Sequence, residues 1–323
     1  MRTIALCLIA LAAGPVLADC PAPPSPVRDI KAQGYYTDVK SSIVDEEKRR
    51  QNIEMTKPLD EFLRQIAEWS DNGRGECAAA WLAGWARGGA LQGEMVHVNN
   101  DQSDYMRQWE LDGAAMVYLK VKKDAAPEQR AAIDPWLIDI ARRNLAYWDN
   151  PAKHRNNHYY WTGVGVLAAG AATGDKALLA KGEEIYRQGL GDISDDGSIP
   201  MEMARGAKAL HYHNYALAPL VVMAEIGTRL TGETWYGWRG GRIDLLADRV
   251  LEGWRDPSWF AKATGETQEP LGGHTDLGWV EFYRKRAAKP ERFEDLHRAG
   301  PYTEPRLGGS LTLMADMSAP SGL

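Results

Sequence analysis

Phenylalanine is scarce, cysteine scarcer, and the 323 residues show neither a basic excess nor a run of about 18 apolar residues. The missing run leaves no ordinary transmembrane helix, so membrane insertion is not expected. A formal net charge of −6 argues against a general nucleic-acid binder, which carries an excess of Lys and Arg. No HExxH pair and no paired-cysteine spacing occurs, so a catalytic zinc is not expected and no cofactor is called for. Period-two runs of β-branched residues bounded by turns are nearly absent, which sets aside an all-β fold. What the chain does have is 12 Trp and 13 Tyr against 4 Phe, amphipathic rings that line a groove as readily as they fill a core. A hydrophobic fraction of 44% is enough for one large core or at most two domains.

The opening "MRTIALCLIALAAGPVLADC" joins Arg2, an apolar run from Ile4 to Ala13 and the small-residue end "VLA" before Asp19. It reads as a secretory signal peptide, residues 1–18, cleaved after Ala18 and leaving residues 19–323 as a single domain exported to the periplasm. Cys7 leaves with the signal. Cys20 and Cys77 remain, an even number in an oxidising compartment, and are expected to pair and tie the N-terminal strap to the first large helix; two free thiols are the alternative.

Helical periodicity dominates from about residue 57. "KPLDEFLRQIAEWSD" places Leu59, Phe62, Leu63, Ile66 and Trp69 at spacings of three and four. About nine or ten such segments, separated by short Gly, Asp and Asn turns, predict a mostly α chain of antiparallel helical hairpins, and hairpins set in a ring make an incomplete α/α toroid or barrel. Two stretches lack a strong pattern. Residues 35–56 are polar and are candidates for a lid, and the tail 301–323 is turn-rich and expected to end disordered.

Two segments concentrate chemistry: "KHRNNHYYWTG" and "SIPMEMARGAKALHYHNYALAPL". In the second, Arg205 and Tyr212 are seven apart, and on one continuous helix they would share a face at about 10 Å. His211 and His213 would then point elsewhere, and residues two apart on a helix do not converge on a metal. Arg205, Tyr212, Asn157 and His158 together suit elimination across a uronic acid. That reaction removes a carbon-bound proton beside a carboxylate once its charge is offset, a task for Arg and Asn. Tyr can serve as base and acid, and His158 can share proton abstraction or hold the carboxylate. Each residue also has a plainer reading: Tyr212 as core, Asn157 as a helix cap, Arg205 as a partner of Glu202.

"NNDQSDYMRQWELDGAAMVYLKVK", "RRNLAYWDNPAKHRNNHYYWTGVGVLA" and "PMEMARGAKALHYHNYALAPLVVMAE" resemble the alginate lyases of polysaccharide lyase family 5, periplasmic enzymes specific for mannuronate. The likeness runs from about residue 25 to 300, with three long motifs in order. It implies an incomplete α/α toroid and a metal-free β-elimination that leaves an unsaturated uronate on the new non-reducing end. By the same likeness, Asn157 and Arg205 neutralise the carboxylate, Tyr212 is base and acid, and His158 assists. Trp109 resembles a sugar-stacking tryptophan, Arg107 or Gln108 would bind hydroxyls or carboxylates, and Tyr160 lies among rings suited to sugar faces. Lys40 and Arg49, in the expected lid, would meet the polyanion. Some family members carry a vicinal cysteine pair just before the Asn; here "KHRNNH" lacks it, so local rigidity must come from packing.

Two other functions stay open on sequence grounds. A glycoside hydrolase on a similar ring needs two facing carboxylates, for which Asp195, Asp196, Glu202 and Asp276 are candidates with no spacing that singles out a pair. A non-catalytic periplasmic polysaccharide-binding or secretion-complex scaffold protein is the third reading.

Overall fold

The computed structural model describes residues 20–272 and 277–317; the expected signal peptide and Asp276 lie outside the described residues. The N-terminal strap leads into β1 (Ile30–Ala32), which pairs in parallel with β2 (Met95–His97), Ile30 opposite Met95. Eight long helices carry the fold as consecutive hairpins. They are α1 (Glu46–Asp71) with α2 (Gly75–Arg87), α3 (Gln102–Val121) with α4 (Pro127–Trp148), and α5 (Asn157–Thr173) with α6 (Lys176–Gly191). After the four-residue α7 (Pro200–Met203), α8 (Ala209–Thr231) pairs with α9 (Trp238–Arg255). Helices α1, α3, α5 and α8 neighbour one another in turn as an inner layer, and α2, α4, α6 and α9 back them from outside. This is the incomplete α/α toroid.

Short elements fill the arc between α8 and α1. They are α10 (Ser258–Thr264), α11 (Val280–Arg284), α12 (Glu294–Arg298), the antiparallel pair β3 (Thr303–Glu304) and β4 (Gly309–Ser310), and α13 (Leu311–Asp316). The turn Pro305–Leu307 between β3 and β4 packs on α1 and α3, and Leu307 and Leu311 are buried. The tail is turn-rich as expected, but through Met317 it is folded onto the ring, held by apolar side chains too sparse to show periodicity.

Local chemistry explains the helix ends. The Asp45 carboxylate caps α1 by accepting from the backbone N–H groups of Glu47 and Lys48, 3.1 Å each, with Glu46 and Glu47 in the first turn. Residues 46–56, read as part of a polar lid, are therefore the opening turns of α1; only 36–44 form a hairpin-like loop, closed by a bridge between Tyr36 and Val44. Leu59, Phe62, Leu63 and Ile66 line the buried stripe of α1, and each such side chain contributes about 1.5–3 kcal/mol. Helix α5 is enclosed on nearly every side, and its small residues make that possible: a Cβ at Gly163 would come within 2.6 Å of the Met223 sulfur, and one at Gly165 within 2.4 Å of the Asp112 carboxylate.

Cys20 and Cys77 are joined in a disulfide across 57 residues of sequence. The strap then runs along α2, where the indoles of Trp81 and Trp85 donate to the carbonyls of Pro21 and Pro24 at 2.8 and 3.2 Å. On the chain-entropy view, a loop of that length stabilises the fold by about 4 kcal/mol.

Candidate active site

The inner helices converge on one group of side chains. Asn156 caps α5 by accepting from the His158 N–H at 3.0 Å, so Asn157 and His158 sit on its first turn, where backbone N–H groups favour an anion. Asn157 is fully buried, and its side-chain amide and backbone N–H both donate to one oxygen of Glu202, at 2.8 and 3.2 Å. The amide carries two N–H groups, so one remains for a ligand, and its oxygen has no protein partner. Burial pushes the Glu202 carboxyl above the usual range, against the Asn157 bonds and the Arg205 charge.

His158 lies in an aromatic box. Tyr105, from α3, stacks on it at 3.8 Å and 7°; Trp109, one turn further on, is tilted at 5.7 Å; Tyr215, from α8, meets it edge-on at 6.1 Å. Burial, then the charges of Arg205 and Arg306, push its pKa down to about 3, so the imidazole is neutral, and its Nδ1 has no protein partner. Two guanidinium groups, Arg205 and Arg306, thus act on one ring.

Arg205 and Tyr212 do not share one helix. The chain breaks between α7 and α8 over residues 204–208, with Gly206 at φ +59°, a left-handed conformation that glycine adopts without steric cost. The break folds Arg205 back until its guanidinium lies 3.8 Å over the Tyr212 ring, far closer than a continuous helix allows. Burial raises the Tyr212 pKa, while Arg205 and a hydrogen bond from Tyr36 oppose the rise. The Tyr212 hydroxyl also donates to the Ser41 carbonyl at 3.4 Å, so the tip of the 36–44 loop rests on it. His213 points into the core: its Nε2 accepts from the Ile199 N–H at 2.8 Å and its Nδ1 donates to the Ala209 carbonyl at 2.7 Å. His211, expected to point away, instead lines the central cavity beside Tyr215, Trp161, Trp279 and Arg306.

The remaining sequence candidates divide. Trp109 faces the site, but the Arg306 guanidinium covers its ring at 4.1 Å. Lys40 is at the loop tip, paired with Glu266 at 2.7 Å. Arg107 is buried and donates to Asn144 at 2.8 Å, so it braces α3 against α4. Gln108 is enclosed, its amide without a protein partner. Tyr160 is buried on the far side of α5 and donates to Asp192 at 2.7 Å, leaving no ring face for a sugar. Arg49 is an exposed residue of α1 beside Glu46 at 3.6 Å. His97, Asp101 and Asp104 cluster as cation ligands would, but Lys153 reaches Asp101 at 2.6 Å, and His97 and Arg107 reach Asp104 at 2.5 and 3.4 Å.

Residues 29–260 match the alginate lyase family. The chain belongs to that family. Along 97% of its length it is 54% identical to a polysaccharide lyase of Stenotrophomonas maltophilia strain K279a, covering 95% of that protein. It is 31% identical to an alginate lyase of Azotobacter vinelandii, over 92% of this chain and 84% of that one. Its fold superposes on alginate lyase A1-III complexed with tetrasaccharide with a TM-score of 0.79 and 26% identity, covering 95% and 89% of the two chains. The crystal structure of A1-III from Sphingomonas species A1 gives a TM-score of 0.74 at 26% identity, over 93% and 86%.

In this alginate lyase family member the hydrolase candidates among the described residues, Asp195, Asp196 and Glu202, do not face one another. Asp195 is exposed and paired with Arg242 at 2.6 Å, Asp196 accepts from Ser198 at 2.7 Å, and Glu202 is buried behind Asn157. Four contributors escaped sequence reasoning. Tyr105 lies four residues before Trp109 and Tyr215 three after Tyr212, spacings that would have placed them on the same helix faces. Glu202 was named as a partner of Arg205 and as a hydrolase carboxylate, not as the acceptor that holds Asn157. Arg306, in the patternless tail, carried no signal.

Proposed function

We propose that this polysaccharide lyase cleaves alginate at mannuronate by β-elimination, leaving a 4,5-unsaturated uronate on the non-reducing end of one product. The observation that carries the reading is the convergence of neutral His158, with an unpartnered Nδ1, and Tyr212 under the guanidinium of Arg205, beside the half-committed amide of Asn157. In this scheme Arg205 and the free N–H of Asn157 bind the uronate carboxylate and offset the charge that builds as its neighbouring carbon loses a proton. The resting Tyr212 is protonated and reacts as the phenolate once its proton has left to solvent, while neutral His158 holds the uronate carboxylate. The phenolate, favoured by Arg205 and Tyr36, then takes the C5 proton; the C5–H electron pair forms the C4–C5 double bond, the C4–O bond breaks, and Tyr212 returns the proton to the leaving oxygen. Tyr212 ends the cycle as the phenolate. Only side chains act in this scheme.

A single residue serving as base and acid works on one face of the sugar. In mannuronate the C5 hydrogen and the C4 oxygen are on the same face, whereas in guluronate they are opposed, and this supports the mannuronate preference together with the resemblance of the three motifs. The export reading of residues 1–18 and the Cys20–Cys77 bridge support the periplasm as its compartment. The test is ultraviolet absorbance of the purified protein with polymannuronate and with polyguluronate, in chelator. The expected result is a rise with polymannuronate that exceeds the rise with polyguluronate. No rise on either block from folded protein overturns the lyase reading.

A further inference from the structure

We propose that Glu266 is a positioning residue that clasps the 36–44 loop to the turn bearing Arg205, so that one carboxylate sets both the cover over Tyr212 and the place of its guanidinium partner. The inference rests on the lyase reading of the site. One Glu266 oxygen accepts from Lys40 at the loop tip, at 2.7 Å, and the other accepts from the Ala207 N–H at 3.1 Å, two residues beyond Arg205. The approach is close: a Cβ at Gly206 would sit 2.5 Å from the first oxygen, so the glycine leaves the room in which the carboxylate lies. The same strap is laced to the turn on either side. The Gln268 side chain donates to the Gly206 carbonyl at 3.0 Å, the Glu269 N–H donates to the Ala207 carbonyl at 3.0 Å, and Lys208 pairs with Glu269 at 3.3 Å. On the loop side, Lys208 also lies 5.3 Å from the centre of the Tyr36 ring, and the Ser41 carbonyl receives the Tyr212 hydroxyl.

The two halves of the clasp differ in kind. The bond to Lys40 is a half-exposed ion pair, weak enough to release when a polyanion enters and screened by salt. The bond to Ala207 joins the carboxylate to a part-buried backbone donor and holds the turn whether the loop is open or shut.

Two variants separate these roles. Glu266→Gln keeps an acceptor for Ala207 and removes the charge that holds Lys40; Glu266→Ala removes both. Limited trypsin digestion reads the loop without substrate: cleavage after Lys40 is followed by mass after reduction of the Cys20–Cys77 bridge, which otherwise keeps the fragment attached. Both variants should be cut about threefold to fivefold faster than the parent. With polymannuronate, kcat of Glu266→Ala should fall about tenfold or more below that of Glu266→Gln, with the conservative variant rescuing turnover. Unchanged cutting after Lys40 in Glu266→Gln, or equal kcat in the two variants, overturns the clasp. Failure of the parent itself to raise absorbance overturns the lyase reading instead, and the digestion still decides whether the loop is clasped.

Discussion

Glu202→Ala is the perturbation that separates holding the site together from doing its chemistry. Glu202 is 1% exposed and supplies one oxygen to two donors of Asn157, which is itself fully buried. Removing the carboxyl leaves the side-chain amide unpaired, at about 1–3 kcal/mol, and opens a small void, for a total of about 2–4 kcal/mol. For a chain of this size that lowers Tm by about 3–6 °C. The catalytic loss has a different origin. Once released, the Asn157 amide no longer presents its second N–H to the uronate carboxylate, and one charge-assisted hydrogen bond of about 1.5–3 kcal/mol is a factor of about 10 to 150 in kcat. Glu202→Gln keeps an acceptor for Asn157, so it should retain most of the thermal stability and most of the turnover. The assay is a thermal melt beside initial rates at saturating polymannuronate, 20 °C below the lowest Tm by about that margin. If folded Glu202→Ala turns over as fast as Glu202→Gln, Asn157 is not held for catalysis by this carboxylate.

Two further outcomes follow from buried groups. Burial holds the Glu110 carboxyl well above its ordinary value of 4.5, so as pH rises past that value the unfolded chain ionises first and the folded state loses stability until its own, higher pKa is passed. Glu110→Gln removes this slope, and melts from pH 4.5 upward should show the parent falling relative to the variant; parallel curves would contradict the assignment. Tyr160→Phe should cost about 1–3 kcal/mol through the lost bond to Asp192, with kcat and KM unchanged; a selective rise in KM would return Tyr160 to the sugar cleft.

The helical ring was legible because its signal is repeated: Leu59, Phe62, Leu63 and Ile66 recur at helical spacing on α1 and are buried. Asn157, His158, Arg205 and Tyr212 were legible as residue types in dense motifs, but their geometry was not. The Arg205–Tyr212 contact depends on a break at Gly206 that apolar periodicity runs straight through, and one positive φ replaces a separation of two turns with a stacked pair. Tyr160 and Arg107 were misplaced for a related reason: residues adjacent in sequence to site residues point to other faces of α5 and α3. Arg306 shows the limit of local reading. It reaches the Trp109 ring only because the tail closes the arc between the first and last inner helices, a tertiary fact with no sequence period behind it.

The central claim is that Tyr212, under Arg205 and beside neutral His158, carries the proton transfers of an elimination. The measurement that tests it most directly is the ultraviolet-monitored rate of unsaturated product formed from polymannuronate by the parent and by Tyr212→Phe, both confirmed folded by their melts. Phe preserves the ring beneath Arg205 and removes only the hydroxyl. The account predicts steady product formation by the parent and a loss of about 10²–10⁴ in kcat for the variant. A Tyr212→Phe enzyme that keeps a tenth or more of the parent rate, by about that margin, would place the base elsewhere and contradict the account.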